Sequence, residues 1–204
     1  MAIVSFVQGD PCKLANMETC SKTRHIGFTL LELLMTIAVA AIFTAIAVPS
    51  FQYVTNANRI AGELNGLLGD LQFARSEAIK EGRNVTVCIS SSGPGSGCTG
   101  GTSWQGGWMV FSDPTNVGVY DAGETVLRVQ PQFTSGDTFT ATNAVSIITF
   151  NREGYAIGIA NGTLITLHDS TSNSNWTRCL NIALSGLMAS LKINQTANGG
   201  PACT

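Results

Sequence analysis

The stretch from Gly27 to Phe51 constrains the fold of this chain more than any other part of its sequence. It holds about twenty apolar residues between Phe28 and Val48, interrupted by one charged residue, Glu32. At 1.5 Å of rise per residue, a helix of that length covers roughly 30 Å, the thickness of the hydrocarbon core of a bilayer. The sequence therefore predicts a helix that lies in a membrane for some part of the life of the protein.

Glu32 is the unusual residue in this helix. A carboxylate near the start of an apolar helix is costly in lipid unless a cation meets it, so we expect a cationic partner. Two simpler interpretations remain open. A signal-anchor helix would have the same hydropathy but would need neither Glu32 nor Gly27. A secretory signal peptide cleaved after Ala45-Ile46-Ala47 would release a soluble protein, although a charge inside such a region is unusual.

The residues Gly-Phe-Thr-Leu-Leu-Glu at positions 27–32 follow Lys22 and Arg24, and together they resemble the cleavage motif of type IV pilins and type II secretion pseudopilins. The resemblance implies that a prepilin peptidase removes residues 1–27 as a leader, by cutting after Gly27. Phe28 then becomes the mature, N-methylated terminus. Glu32 is expected to pair with the N-terminal amine of a neighbouring subunit during filament assembly. The long leader leaves Met17 as an alternative start of translation.

Composition limits the rest of the chain to one modest domain. The protein has 204 residues, of which 12% are charged, and its formal net charge is −2. The leader carries three basic and two acidic residues, so its removal changes the net charge to −3. The chain therefore lacks the basic excess that binding to nucleic acid phosphates normally requires.

Cysteine usage indicates disulfides. Cys12 and Cys20 belong to the leader, and an even number of cysteines remains in the exported part. Two disulfides are expected, and three pairings can be formed. We favour Cys88 with Cys98 and Cys179 with Cys203, because each pair closes a local loop. The rival is a zinc site, but no C-x-x-C occurs and His168 is the only histidine after the leader. The sequence thus predicts no metal and no cofactor.

Residues 28–49 are expected to form the membrane half of the helix, and residues 50–82 an amphipathic half that continues past Pro49. One apolar seam follows helical spacing in that second half. It consists of Ile60, Leu64, Leu67, Leu71, Ala74 and Ala78. Gly82 is expected to end the helix.

The pattern of residues 83–204 predicts a β-rich globular head. Eight apolar runs are separated by turn residues, at 85–90, 108–111, 125–129, 145–150, 155–160, 163–167, 179–184 and 190–194. Asn161-Gly162 predicts a hairpin between two of them. The expected fold is α+β and pilin-like, with a long N-terminal helix packed on an antiparallel β-sheet or a small β-sandwich.

The head adds a second resemblance. Residues 73–80 (FARSEAIK), the cysteines of the loop from Cys88 to Cys98, and residues 104–113 (WQGGWMVFSD) are similar to the FimT, FimU and GspH family. The resemblance implies a minor type IV pilin that helps to initiate or cap the filament at its tip, or a GspH-like minor pseudopilin of type II secretion. Its implied partners are other minor pilins, the major pilin and prepilin peptidase. The implied location is the bacterial inner membrane, with a single span and a periplasmic head, and later the pilus or pseudopilus tip at the cell surface.

One branch of this family takes up DNA through a Gly-Arg-x-Arg pattern, and the matching place here, residues 185–189, has neither arginine. Arg178 and Lys192, which flank that hairpin, are the candidate DNA contacts, and DNA remains a doubtful partner. Residues 113–124 gather oxygen ligands that could suit calcium, although turns use the same residues. No enzymatic constellation is visible, since the adjacent His168 and Asp169 would point to opposite faces of a strand. We expect no catalytic activity.

Overall fold

The structure, a computed structural model, describes residues 29–90, 97–115, 117–197 and 200–204. They belong to two compact units, one ending at Val48 and the other running from Pro49 to Thr204. Gly27, Phe28 and the rest of the predicted leader lie outside the described residues.

Helix α1 spans Leu30–Glu81, 52 residues with Pro49 in its interior. Every residue from 29 to 55 is exposed to solvent in the isolated chain. Among the described residues, α1 is the one helix long and apolar enough to cross a bilayer, with a mean hydropathy of 2.3 in its most apolar part. An apolar surface of this extent needs lipid or protein around it.

The second half of α1 is amphipathic and packs on the head. Its buried residues are Ile60, Leu64, Leu67, Leu71, Ala74 and Ala78. The predicted seam is therefore confirmed, residue for residue. The helix ends at Glu81, and Gly82 follows with φ +66°, a conformation that favours glycine at this position.

Nine strands follow the helix and form two antiparallel sheets. The first sheet has the order β3-β2-β1-β5-β6 and the second has the order β4-β7-β8-β9. The strands are β1 (Val85–Ile89), β2 (Trp108–Ser112), β3 (Val126–Gln130), β4 (Thr138–Ala141), β5 (Ile147–Phe150), β6 (Ala156–Ile157), β7 (Thr163–His168), β8 (Arg178–Ile182) and β9 (Met188–Lys192). Short 3-10 helices lie at Trp104–Gly106, Thr142–Ala144 and Ser174–Trp176.

One hydrophobic core joins the helix seam to both sheets. It contains Val87 and Phe150 of the first sheet, Phe139 and Leu180 of the second, and the fully buried Trp108. The head is thus an α+β unit in which a long helix covers antiparallel sheets, as the sequence predicts.

The structure corrects the prediction for the sheets in two places. Strand β4 was not expected, because Thr138-Phe139-Thr140-Ala141 is short and buries only alternate residues. The prediction of a hairpin at Asn161-Gly162 is wrong. A turn does form there, since Thr163 N donates to Ala160 O, but β6 pairs with β5 whereas β7 pairs with β4 and β8. This turn carries the chain from one sheet to the other.

Candidate assembly surfaces

Glu32 lies on the exposed apolar half of α1. Its backbone N–H donates to Thr29 Oγ1 at 3.2 Å, a capping bond for the first turn of the helix. In the part of the chain that the structure describes, its carboxylate forms no ion pair and no hydrogen bond. Met35, Val39 and Phe43 lie along the same face. The carboxylate is therefore free to receive a cation from another molecule.

Two charged residues near the start of the amphipathic half contact the head. Arg59 donates to both carboxylate oxygens of Asp137, at 2.8 and 2.9 Å, and this hydrogen-bonded carboxylate raises the pKa of Arg59. Ser135 Oγ donates to Glu63 Oε1 at 2.9 Å. Burial raises the pKa of Glu63, Ser135 opposes that shift, and the nearby Asp137 carboxylate raises the pKa further.

Asp70, about two turns further along α1 than Glu63, also contacts the head. Trp108 Nε1 donates to its Oδ2 and Arg128 Nη1 donates to its Oδ1, both at 2.9 Å. The guanidinium of Arg128 also lies 3.7 Å from the ring centroid of Phe73. These polar contacts fasten the helix to the first sheet, while the contacts of Arg59 and Glu63 fasten it to the segment before β4.

Between residues 58 and 76, the exposed residues of this half-helix are small or uncharged. They are Asn58, Ala61, Gly62, Asn65, Gly66, Gly69, Gln72 and Ser76. No described atom lies within 4 Å of where a Cβ would stand at Gly62, Gly66 or Gly69.

A second exposed apolar region lies where α1 ends, and we call it the distal patch. It consists of Ile79, Tyr155, Leu184 and Leu187, each between 42% and 57% exposed. Arg75 lies beneath it and donates to the carbonyl oxygens of Gly154 at 2.9 Å and Ser185 at 3.4 Å. Gly186 completes the arrangement with φ +75°, and a Cβ there would stand 2.1 Å from Gly154 O.

Arg75 holds the two loops of the distal patch together, yet no carboxylate among the described residues pairs with it. No local pattern in the sequence indicates this surface, because its members come from α1 and two separate turns.

The predicted DNA-contact residues come together at the opposite end of the β8–β9 hairpin from residues 185–189. Arg178 and Lys192 are direct partners in the register of these strands. Trp176 lies beside this pair in sequence, with its ring 5.7 Å from that of Tyr53 on α1. We call Tyr53, Trp176, Arg178 and Lys192 the basic end of the head.

Two disulfides close the head. Cys88 is bonded to Cys98, and Cys179 to Cys203, with Cα–Cα distances of 5.6 and 5.7 Å. This is the pairing favoured from the sequence. The first bridge lies over the outer face of the first sheet, and the second holds the C-terminal segment against Leu164 and Leu191.

The segment considered for calcium uses several of its oxygen atoms in hydrogen bonds within the head, whereas Asp113 Oδ1 is buried without a partner among the described residues. Asp113 is buried and accepts from Thr86 Oγ1 at 2.7 Å and from Gly118 N at 2.6 Å. Thr115 Oγ1 donates to both Asp121 and Glu124. Asn116 lies outside the described residues. In the described ranges, no group of three or more His, Cys, Asp or Glu residues is arranged to hold a metal.

His168 and Asp169 have separate structural partners. His168 Nδ1 lies 3.1 Å from Thr177 Oγ1. Although burial by itself raises the pKa of Asp169, hydrogen bonds from Thr171 and the Asn173 amide hold it below its ordinary value. His168 is the last residue of β7, and Asp169 holds the turn that follows it.

The helix, the two sheets and the unpaired Glu32 together define a pilin-like subunit, a structural protein anchored by an apolar N-terminal helix. Comparison with known families agrees. The profile described as "Type II transport protein GspH" matches residues 63–186, more than half of the chain, and the "Prokaryotic N-terminal methylation motif" matches residues 22–48. The chain belongs to the GspH family.

Solved structures show the same fold. The type IV minor pilin FimU of Pseudomonas aeruginosa strain PAO1 is similar in two crystal forms. One is 20% identical with a TM-score of 0.50, covering 72% of this chain and 99% of FimU. The other is 19% identical with a TM-score of 0.52, covering 76% of this chain and 99% of FimU. None of the curated protein sequences matches the chain.

Family membership gives the general role. The protein is a minor pilin or pseudopilin, and its family is structural and not known to be enzymatic. The methylation motif implies prepilin processing, and the family implies interaction with other pilin-type subunits. The apolar helix fits anchoring in the inner membrane.

Proposed function

We propose that this protein is a minor type IV pilin that helps to initiate or cap the pilus at its tip. It inserts into the inner membrane by α1 and is cut after Gly27, which leaves Phe28 as the mature terminus. Its head faces the periplasm until assembly, and the subunit then moves to the filament tip. Its partners are the other minor pilins and the major pilin.

The observation that carries this proposal is the unpaired Glu32 carboxylate on an exposed apolar helix. In lipid the carboxylate is costly, and in a helical bundle a neighbouring N-terminal amine can neutralise it. The transfer from lipid to bundle therefore gains most of its specificity from this one ion pair. Glu32 acts as a docking group whose partner arrives on assembly.

Surface pili are the first measurement. We expect a strain without the gene to yield few sheared pili, and a complemented strain to yield normal amounts. Unchanged pili in the deletion strain would overturn the priming role.

The mechanism is tested by Glu32→Gln, which keeps the shape of the side chain and removes its charge. We expect normal folding and leader removal but at least about tenfold less protein in the sheared filament fraction, since one ion pair in lipid is worth more than 1.4 kcal/mol. Glu77→Gln, which removes an acid from the amphipathic half of α1, is the matched control and should assemble normally. Normal incorporation of Glu32→Gln would contradict the mechanism.

A minor pseudopilin of type II secretion is the second candidate, and the name of the matching family favours it. Such a subunit would use the same leader and the same glutamate. Loss of secreted enzymes in the deletion strain, with pili intact, would select it.

A further inference from the structure

We propose that the basic end of the head binds the anionic phospholipid headgroups of the membrane in which α1 is anchored, so that the head rests on the lipid surface before assembly. The inference rests on membrane insertion of α1 and does not depend on a role at the pilus tip.

The register of the second sheet places two like charges together. Arg178 and Lys192 are directly opposite on β8 and β9, so their side chains leave the same face of the sheet. Like charges in that relation repel, and neither forms an ion pair with any residue that the structure describes. An anion bound between them would convert this repulsion into attraction.

Arg178 is oriented and still has donors to offer. Its Nη1 donates to the carbonyl oxygens of Asn175 at 3.1 Å and Thr177 at 2.8 Å. No described atom accepts from its Nε or Nη2. A guanidinium held by one nitrogen and open at the others suits a phosphate oxygen pair.

The acidic residues near this end do not neutralise its exposed cations. Asp137 has a fully buried side chain that is paired with Arg59, and Asp169 is 2% exposed and accepts hydrogen bonds from its own turn. Neither of these aspartates therefore offers a counter-charge to Arg178 and Lys192 at the surface.

Aromatic residues accompany the cations. Tyr53 is 52% exposed and contacts Trp176, whose indole ring is half-buried against the core. Tyr53 follows Val48, the end of the apolar run, by only five residues in the same helix. Tyrosine, tryptophan, arginine and lysine next to a membrane span are the residues that settle at the headgroup layer.

A lipid surface fits these features better than nucleic acid does. Two adjacent cations on a chain of net charge −2 can neutralise few phosphates, whereas a nucleic acid site needs an extended basic surface. A membrane supplies anionic headgroups at the place where the chain leaves the bilayer, and juxtamembrane cations are attracted to them.

Trp176 provides the probe. The chain has three tryptophans, and Trp104 and Trp108 are fully buried in the core. The full chain is reconstituted in vesicles that carry a nitroxide on the headgroup of phosphatidylcholine, either alone or with about one third phosphatidylglycerol. We expect about twofold stronger quenching of tryptophan fluorescence with phosphatidylglycerol, with the excess lost at high salt and in Trp176→Phe.

Two variants decide the assignment. Arg178→Gln with Lys192→Gln should reduce quenching to the level of neutral vesicles, whereas Lys80→Gln with Arg83→Gln, two exposed cations at the C-terminal end of α1, should not. Near-ultraviolet circular dichroism checks that each head is folded. Equal quenching in both vesicles, or an unaffected double variant, would overturn the proposal. Salt-sensitive binding of duplex DNA through Arg178 and Lys192, with no lipid effect, would overturn it in favour of nucleic acid.

Discussion

Glu63 is a half-buried acid whose ionisation is unfavourable in the folded head. Its Oε1 accepts from Ser135, but its buried Oε2 has no hydrogen-bond partner among the described residues and lies near the Asp137 carboxylate. Burial and that like charge both favour the protonated acid. Arg59 is shared between these acids but is directed to Asp137. The site therefore pairs one of its two acids with a cation and leaves the other with a single hydrogen bond from a hydroxyl group.

We expect Glu63→Gln to stabilise the head by about 1 kcal/mol at pH 7, because the amide removes a buried charge and can donate where Oε2 has no partner. The folded pKa of Glu63 is raised, so the folded state holds more protons than the unfolded state between the two pKa values. Stability of the parent should thus rise as pH falls from neutral towards about 4.3, the ordinary glutamate pKa.

Urea unfolding of the full chain in detergent at several pH values measures this effect. Over the same range of pH, the free energy of unfolding of Glu63→Gln should change less than that of the parent. The two free energies should become equal at the acidic end of the range. Glu124→Gln, which changes an acid in the exposed loop between β2 and β3, is the control. A variant that is less stable than the parent at pH 7 would contradict the assignment.

Residues near in sequence were predictable, and residues joined by the fold were not. The seam from Ile60 to Ala78 follows local spacing, which a sequence displays directly. The docking role of Glu32 is also inferred from a local motif and stays a prediction. The bond between Asp70 and Trp108 joins residues 38 apart, and the ion pair between Asp70 and Arg128 joins residues 58 apart. No periodic pattern in the sequence indicates partners that are so far apart in the chain.

At the scale of elements, α1 contains glycines at positions where neither the backbone conformation nor a close neighbour requires glycine. Gly66 lies in the helix interior on the exposed face, with no described atom within 4 Å of its missing Cβ. Glycine there costs about 1 kcal/mol relative to alanine. The helix therefore depends on its packing and polar contacts rather than on intrinsic propensity.

Gly66→Ala should raise the free energy of unfolding by about 0.5–1 kcal/mol, because it lowers the entropy of the unfolded chain without a clash. Gly186→Ala should do the opposite and cost about 2 kcal/mol or more, because its φ is +75° and its Cβ would meet Gly154 O. Thermal unfolding of both variants beside the parent measures the pair. Destabilisation by Gly66→Ala would show that an atom outside the described residues approaches this face.

The strands show where element prediction fails. Each of the eight apolar runs contains residues of a strand, because β-branched and aromatic residues mark such runs. The turn at Asn161-Gly162 also forms, but its local chemistry does not specify which strands pair across it. The pairing of the strands is determined by contacts within each sheet, such as Phe139 of β4 opposite Leu167 of β7.

At the scale of the whole molecule, a filament subunit needs contact surfaces besides its apolar helix. The distal patch gathers four half-exposed apolar side chains above Arg75, a cation with no acidic partner in the described part of the head. We propose that the head of a neighbouring pilin-type subunit covers this patch. The chemistry of the patch calls for a partner surface with apolar side chains around a carboxylate.

Leu187→Asn tests the distal patch, because it keeps the branching of the side chain and removes an apolar contact worth about 1.5–3 kcal/mol when buried. We expect roughly tenfold less protein in sheared filaments, with normal amounts in the membrane. Val119→Asn is the matched control, since Val119 is 47% exposed and lies in the loop between β2 and β3. Equal loss from both variants would indicate a general defect of the head, and no loss from Leu187→Asn would remove the distal patch from assembly. Because Glu32→Gln acts on the helix and Leu187→Asn on the head, the double variant should lose the sum of the two free energies if these surfaces meet different neighbours.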